Sequence, residues 1–265
     1  ADQFISDNSG RIYGTLYFWT HNSLPTQIPG TTIYTYSSND FAYYNLSGET
    51  EVGGMEGTPA PTPGNQSTPA GFIAAGQGFL ARSLTGEPVV FTNSMRVPNL
   101  NSQFYRSSAA AAIERHRVWL NFTNELGAFK QLLIGYVTGA TNSWDNSYDA
   151  TTMNANPHVD FYSVNDGKKL VIQGRAVPFV VTDTIQLGYK STIEEGEFTI
   201  AIDRTDGDLS NQDIYLQDNL TNTIHNLKTG GYTFTSAPGT FLKRFVLRYT
   251  NSNDTTLGNE DFENQ

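Results

Sequence analysis

The sequence has no cysteine, so neither a disulfide nor a thiolate metal site holds this chain together. Cations are scarce. Sixteen Lys and Arg stand against 26 Asp and Glu, a formal net charge of −10, and they are scattered rather than gathered into the basic patch that a nucleic-acid backbone requires. No apolar run approaches the roughly 18 residues a membrane helix needs, and no basic stretch followed by an apolar one opens the chain. Nucleic acid as a partner and direct insertion into a membrane are therefore disfavoured.

Catalytic signatures are missing as well. The four histidines, His21, His116, His158 and His225, form no His-Glu-x-x-His or other paired metal spacing, and no serine sits in a Gly-x-Ser-x-Gly elbow. Gly76-Gln-Gly78 lacks the helical pattern that a dinucleotide-binding turn needs after it. The densest glutamate group, Glu194, Glu195 and Glu197 around Gly196, reads as a solvated turn, because a general acid requires a partly buried carboxyl. The expectation is a protein that is not an enzyme.

What the chain does have is aromatic residues, 12% of the total against 16% charged, a balance that favours an all-β fold. Val118, Leu120 and Phe122 alternate with Arg117, Trp119 and Asn121, and Phe129-Lys-Gln-Leu-Leu-Ile-Gly-Tyr-Val137 follows a glycine-containing turn. Two antiparallel strands are predicted. Further strands are expected at Gly14–Thr20, Thr31–Tyr36, Phe41–Asn45, Phe72–Ala81 and Pro88–Asn93, then at Val159–Val164, Leu170–Gln173, Ala176–Val181, Gly196–Ile202, Ile214–Gln217, Thr223–Leu227, Tyr232–Thr235 and Phe245–Tyr249.

A chain of 265 residues can hold two medium β domains, each with its own core. The predicted organisation is two β-sandwich regions in tandem, with jelly-roll or Greek-key connections. The first covers 1–107 and carries a Gly/Pro-rich loop over 48–71. A small-residue linker, 108–114, leads to the second, 115–250, and a polar acidic tail occupies 251–265. In the first region, Gly14–Thr20 and Phe72–Ala81 are the candidate edge strands.

Two loops attract attention. Around Trp144 and Tyr148, an aromatic pair set among Asn142, Asn146, Asp145 and Asp149, the residue types match sugar recognition: flat apolar faces with planar hydrogen-bonding groups beside them. Trp19 is a further candidate contact. The same two aromatics could instead fold back to cap the sheet. Asp203, Asp206 and Asp208, gathered about Gly207, and Asp145 with Asp149, supply hard oxygen ligands suited to calcium.

Several phrases, among them Gly14-Thr-Leu-Tyr-Phe-Trp-Thr-His-Asn22, Ile73-Ala-Ala-Gly-Gln-Gly-Phe79, Phe91-Thr-Asn-Ser-Met-Arg96, Lys169-Leu-Val-Ile-Gln-Gly-Arg175, Ile214-Tyr-Leu-Gln-Asp218 and Arg244-Phe-Val-Leu-Arg-Tyr249, resemble the C-terminal β-sandwich region of surface and secreted proteins of gliding Bacteroidetes exported by the type IX secretion system. That resemblance implies an extracellular or outer-surface location and a larger parent polypeptide, with a secretion-signal domain expected beyond the tail. It implies a role in adhesion or surface presentation, with polysaccharide or neighbouring surface proteins as partners. A carbohydrate-binding module attached to a secreted polysaccharide-degrading enzyme is the alternative. Asp183-Thr-Ile185 and Asp254-Thr-Thr256 look like the Bacteroidetes O-glycosylation signal, which nominates Thr184 and Thr255.

Overall fold

The computed structural model describes residues 1–20, 25–27, 30–35, 40–52, 68–97, 114–125, 127–153, 158–194 and 196–251. The chain is all-β, built from a large, nearly closed sheet and a smaller one. A helix not anticipated from the sequence, α1 (Asp2–Asp7), precedes β1 (Ile12–Trp19). β2 (Thr26–Gln27) and β3 (Tyr34–Thr35) pair with each other, and β4 (Phe41–Asn45), β5 (Gly48–Thr50) and β6 (Leu80–Ser83) complete the small sheet in the order β5-β4-β1-β6.

Both faces of this sheet are covered, which is why β1 and β4 read as nearly continuous apolar runs. Ile12, Leu16 and Phe18 pack with Phe4 and Ile5 of the helix. On the other face, Tyr17 and Tyr43 meet Trp119, Leu133, Val171 and Ile172 of the large sheet. β1 lies between β4 and β6, so the candidate edge at Gly14–Thr20 is corrected: the edge strands are β5 and β6, and the four residues of β6 are all exposed. Its neighbour segment 72–79 is not a strand.

The large sheet contains β7 (Arg115–Asn124), β8 (Phe129–Val137), β9 (Ala150–Thr151), β10 (Val159–Asn165), β11 (Lys168–Arg175), β12 (Thr184–Ser191), β13 (Gly196–Asp206), β14 (Tyr215–Asp218), β15 (Thr223–Asn226), β16 (Tyr232–Ser236) and β17 (Gly239–Arg248). Its order is β15-β14-β17-β12-β10-β11-β8-β7-β13-β16, with β9 beside β11. Among the described residues β8 and β11 are the one parallel pair. Phe122 stacks with Phe161 at 5.3 Å and Phe198 at 5.1 Å in the middle of the core. Phe234 of β16 lies 4.8 Å from Phe245 of β17, so the sheet curls until its two ends approach each other.

β11 joins the two limbs of that curl. Residues Lys168 to Leu170 pair with β10, whereas Ile172 to Arg175 pair with β8. β9 pairs with β11 at Leu170 and Ile172 as well, which places it on the opposite side from both. β8 and β10 thus part company near Val171, leaving a seam between two strands that share no ladder.

Some expectations need correction. Pro88–Asn93 and Ala176–Val181 form no strands. The first runs along the surface toward a short 3-10 turn at Asn93–Met95, and Phe91 stacks on Phe4 at 4.8 Å. The second is a loop whose Phe179 packs edge-on against Tyr136 and Tyr249. The loop expected over 48–71 begins with a strand, β5. Trp119 Nε1–H donates to the Glu49 carbonyl at 2.7 Å, and Arg117 and Arg204 bind the Glu49 carboxylate. These anchors on the large sheet hold a glycine-rich sequence extended. Residues 53–67, the linker apart from Glu114, and the tail apart from Asn251 lie outside the described residues.

Candidate functional site

The loop that follows β8, residues 138–149, is held from three sides. Asp149 is fully buried. One of its oxygens accepts the Asp145 N–H at 2.7 Å and the other the Gly174 N–H at 2.8 Å. The Asp145 carboxylate in turn accepts the Thr141 N–H, a short-range pattern typical of Asp in turns. Gly14 N–H donates to the Asn146 carbonyl at 2.7 Å, and the Leu46 N–H donates to the Ser147 carbonyl at 3.0 Å. These bonds tie the loop to the small sheet. A Cβ on Gly14 would come 2.6 Å from the Ser147 Cα, so a glycine is required where loop and strand meet.

Between loop and small sheet lies a pocket of about 240 Å³. Tyr13, Thr15 and Tyr17 of β1 line it, together with Arg82 of β6 and the adjacent Leu84, and with Trp144, Asn146, Asp149, Thr151 and Lys168. Trp144 is half-buried and fixed in place, its Nε1–H donating to Asn146 Oδ1 at 2.9 Å and its backbone N–H to Asp166 at 2.7 Å. Arg82 sits over the Tyr13 ring at 4.8 Å and Lys168 over the Trp144 ring at 5.0 Å. Two cations therefore line the pocket, each over an aromatic ring.

Burial pushes the Asp149 carboxyl up, to about 7, against the pull of the two backbone N–H groups. The group therefore binds a proton more readily in the folded than in the unfolded chain, whose carboxyl stays near 3.8. Its contribution to stability is complete below about 3.8 and is lost as the pH rises through about 7. An Asp149→Asn variant should lack this component of the pH dependence. Thermal melts of both proteins between about pH 4 and 8 test it, and parallel melting curves would remove Asp149 titration from the account.

The predicted sugar contacts separate. Trp144 and Asn146 line the pocket together with Asp149. Tyr148 turns away: a Cβ on Gly139 would overlap its hydroxyl, and one on Gly174 would come 2.6 Å from its Cβ. It is wedged against the backbone of Gly139 and Gly174. Asn142 is exposed and accepts the Ala176 N–H at 3.1 Å, and Trp19, 42% exposed at the end of β1, lies outside the pocket lining. Tyr13, Tyr17, Arg82 and Lys168 carry no local sequence signal of a site. The Tyr-x-Thr-x-Tyr alternation marks one face of β1, but nothing local announces which loop that face will meet.

The calcium candidates take separate partners. Asp206 accepts two hydrogen bonds from the Arg117 guanidinium and one from its backbone N–H, Asp203 pairs with Arg204 at 2.8 Å, and Asp208 lies 3.6 Å from His116 Nδ1. Asp145 and Asp149 are engaged with backbone as described. Among the described residues no three His, Cys, Asp or Glu side chains come together as a metal-binding group. Thr184 is exposed at the start of β12, beside an Asp183 that binds Arg175 and Tyr136. Glu194 and Glu197 are both exposed at the β12–β13 turn. Thr255, Glu195 and His21 fall outside the described residues.

A family model described as a domain of unknown function (DUF8693) matches residues 1–249. No curated protein and no solved structure matches the chain.

Proposed function

The chain belongs to that family of unknown function, and we propose from its geometry that it is a non-catalytic binding module of a secreted or surface-anchored protein, serving adhesion by gripping the acidic end of a saccharide. One observation carries this reading: the pocket combines the ring of Trp144, the tyrosines of β1, the amide of Asn146 and two cations, Arg82 and Lys168, for which no ion pair is formed among the described residues. Aromatic surface accepts sugar C–H groups, amides accept hydroxyls, and the cations select a carboxylate or sulfate. At about 240 Å³ the pocket lies below the roughly 300–1,000 Å³ of drug-sized sites. It therefore suits one terminal ring rather than a chain laid along a groove.

Asp149, the carboxylate in the pocket lining, has both oxygens turned to backbone N–H groups. Exterior location, membership of a larger parent polypeptide, export by the type IX route and glycosylation at Thr184 rest on the sequence resemblance. In this reading the second region, 115–250, is the sandwich, and the first is a smaller β unit seated on it that supplies half of the pocket.

Calorimetric titration with uronic-acid oligosaccharides and their neutral counterparts tests the proposal. Binding of the acidic series is expected, and Trp144→Ala should weaken it about tenfold or more, as truncation of an aromatic anchor does. Absence of binding to either series, or equal affinity of the variant, would eliminate the pocket as a saccharide site.

A further inference from the structure

Where β8 and β10 separate, the seam between them holds a lysine and an aspartate. Lys130 of β8 and Asp160 of β10 are 7% and 2% exposed in their side chains, and Lys130 Nζ stands 3.8 Å from Asp160 Oδ1. That is outside hydrogen-bond reach, so the pair lacks the close geometry with which buried ion pairs offset their desolvation. Tyr43 of the small sheet covers the seam, its ring centre 5.6 Å from Nζ. Oδ1 is singled out: it accepts both the Thr152 hydroxyl at 2.8 Å and the Phe161 N–H at 3.1 Å. Two donors converging on one oxygen of a carboxyl are the arrangement that stabilises a tetrahedral oxyanion.

We propose that Lys130 and Asp160 condense into an intramolecular amide that cross-links β8 to β10. Once Nζ closes the 3.8 Å gap to the carboxylate, the pair exchanges a proton, leaving a neutral amine and a neutral acid protonated on Oδ2. Burial favours that exchange, since it lowers the lysine and raises the aspartic acid. The amine lone pair then attacks Cγ, and Oδ1 takes the negative charge under the Thr152 hydroxyl and the Phe161 N–H. A second proton passes from nitrogen to Oδ2, which leaves as water, and Oδ1 returns as the amide carbonyl still holding its two donors. One C–N bond forms, one C–O bond breaks, and no oxidant or co-reactant is consumed. Two buried charges disappear in the product, which removes their desolvation cost. The inference is independent of the pocket and its ligand.

Intact-mass spectrometry of the purified full chain under denaturing conditions reads the result directly. The expected mass is lower than that of the sequence by one water, about 18 Da, with a proteolytic peptide in which the segments around Lys130 and Asp160 are joined. Lys130→Arg and Asp160→Ala should each restore the sequence mass, and Asp160→Asn should instead lose ammonia. A wild-type mass equal to that of the sequence overturns the proposal. So does a water loss that persists in both Lys130→Arg and Asp160→Ala, because it then arises from another residue.

Discussion

Replacing Arg244 with methionine is expected to cost about 3–5 kcal/mol of folding stability, the penalty of stranding a buried partner charge. Asp218 is fully buried, and Arg244 binds it through Nε, 3.2 Å from each oxygen, and through Nη2 at 2.9 Å. The same guanidinium reaches the Tyr189 hydroxyl and the Thr235 carbonyl, and lies over the rings of Phe234 and Phe245. One side chain thereby touches β12, β14 and β16, closing the gap between the two ends of the large sheet. Burial alone would raise the Asp218 carboxyl. The hydrogen bonds from Arg244, the Leu220 N–H and Tyr232, with the guanidinium charge, outweigh it and hold the group below its ordinary 3.8.

The sign of the pH effect follows. A depressed carboxyl contributes stability that is present above about 3.8 and fades as the pH falls through the folded value. In the methionine variant the carboxyl keeps its burial and loses its cation, so acidification relieves that protein while it weakens the wild type. Urea unfolding should show the full difference near neutral pH and a clearly smaller one at about pH 3. A loss below about 1 kcal/mol at neutral pH would mean that the pair behaves as a solvated surface bridge.

The second large effect is expected at Trp119, which is 2% exposed in the contact between the two sheets. Arg117 and Arg204 flank its ring at 4.7 and 4.1 Å, and both also bind the Glu49 carboxylate. Trp119→Ala removes the ring, the bond to the Glu49 carbonyl and the support of two guanidinium groups, for a loss of about 3–5 kcal/mol. Trp119→Phe keeps a ring and forfeits the indole N–H, so a loss closer to about 1 kcal/mol is expected. Limited proteolysis adds a positional readout. The alanine variant should be cut before residue 114 while the segment from Arg115 onward resists, and uniform resistance in both variants would show that the small sheet is held by other contacts.

Much of the architecture is legible in the residues because the signal is local. Alternation placed β7, β8, β10 and β13 close to where they lie, and aromatic abundance identified the class. Ile185, Leu187 and Tyr189 of β12 alternate cleanly and all three are buried in the core; the glycine between them weakens the strand propensity, and it is there because Tyr162 and the Phe241 backbone leave no room for a Cβ. The apolar segment Ala176–Val181 misled for the opposite reason, since it buries a single aromatic against Tyr136 and Tyr249 without joining a ladder. The loop around Trp144 was recognisable from residue type. Its partners Tyr13, Arg82 and Lys168 were not, because they arrive from distant strands and their meeting is a property of how the sheets stack. Lys130 left a trace, a charged residue in the otherwise apolar stretch that runs through Leu132 and Ile134, yet its match with Asp160 depends on β11 changing partners midway.

The tethering of the 138–149 loop has a consequence for how fast and how tightly a ligand is held. Because Asp149, Asp145 and the Gly14 and Leu46 amides already fix the loop, the fold itself holds Trp144 in place, and on the proposed function no ordering of the loop has to accompany binding. Little conformational entropy is left to lose on association, and what a ligand gains from the pocket goes into affinity rather than into ordering the receptor. Such a preorganised site associates by simple one-step kinetics with no slow rearrangement phase. If the pocket takes the proposed acidic saccharide, a single-phase association trace in stopped flow is the expected result.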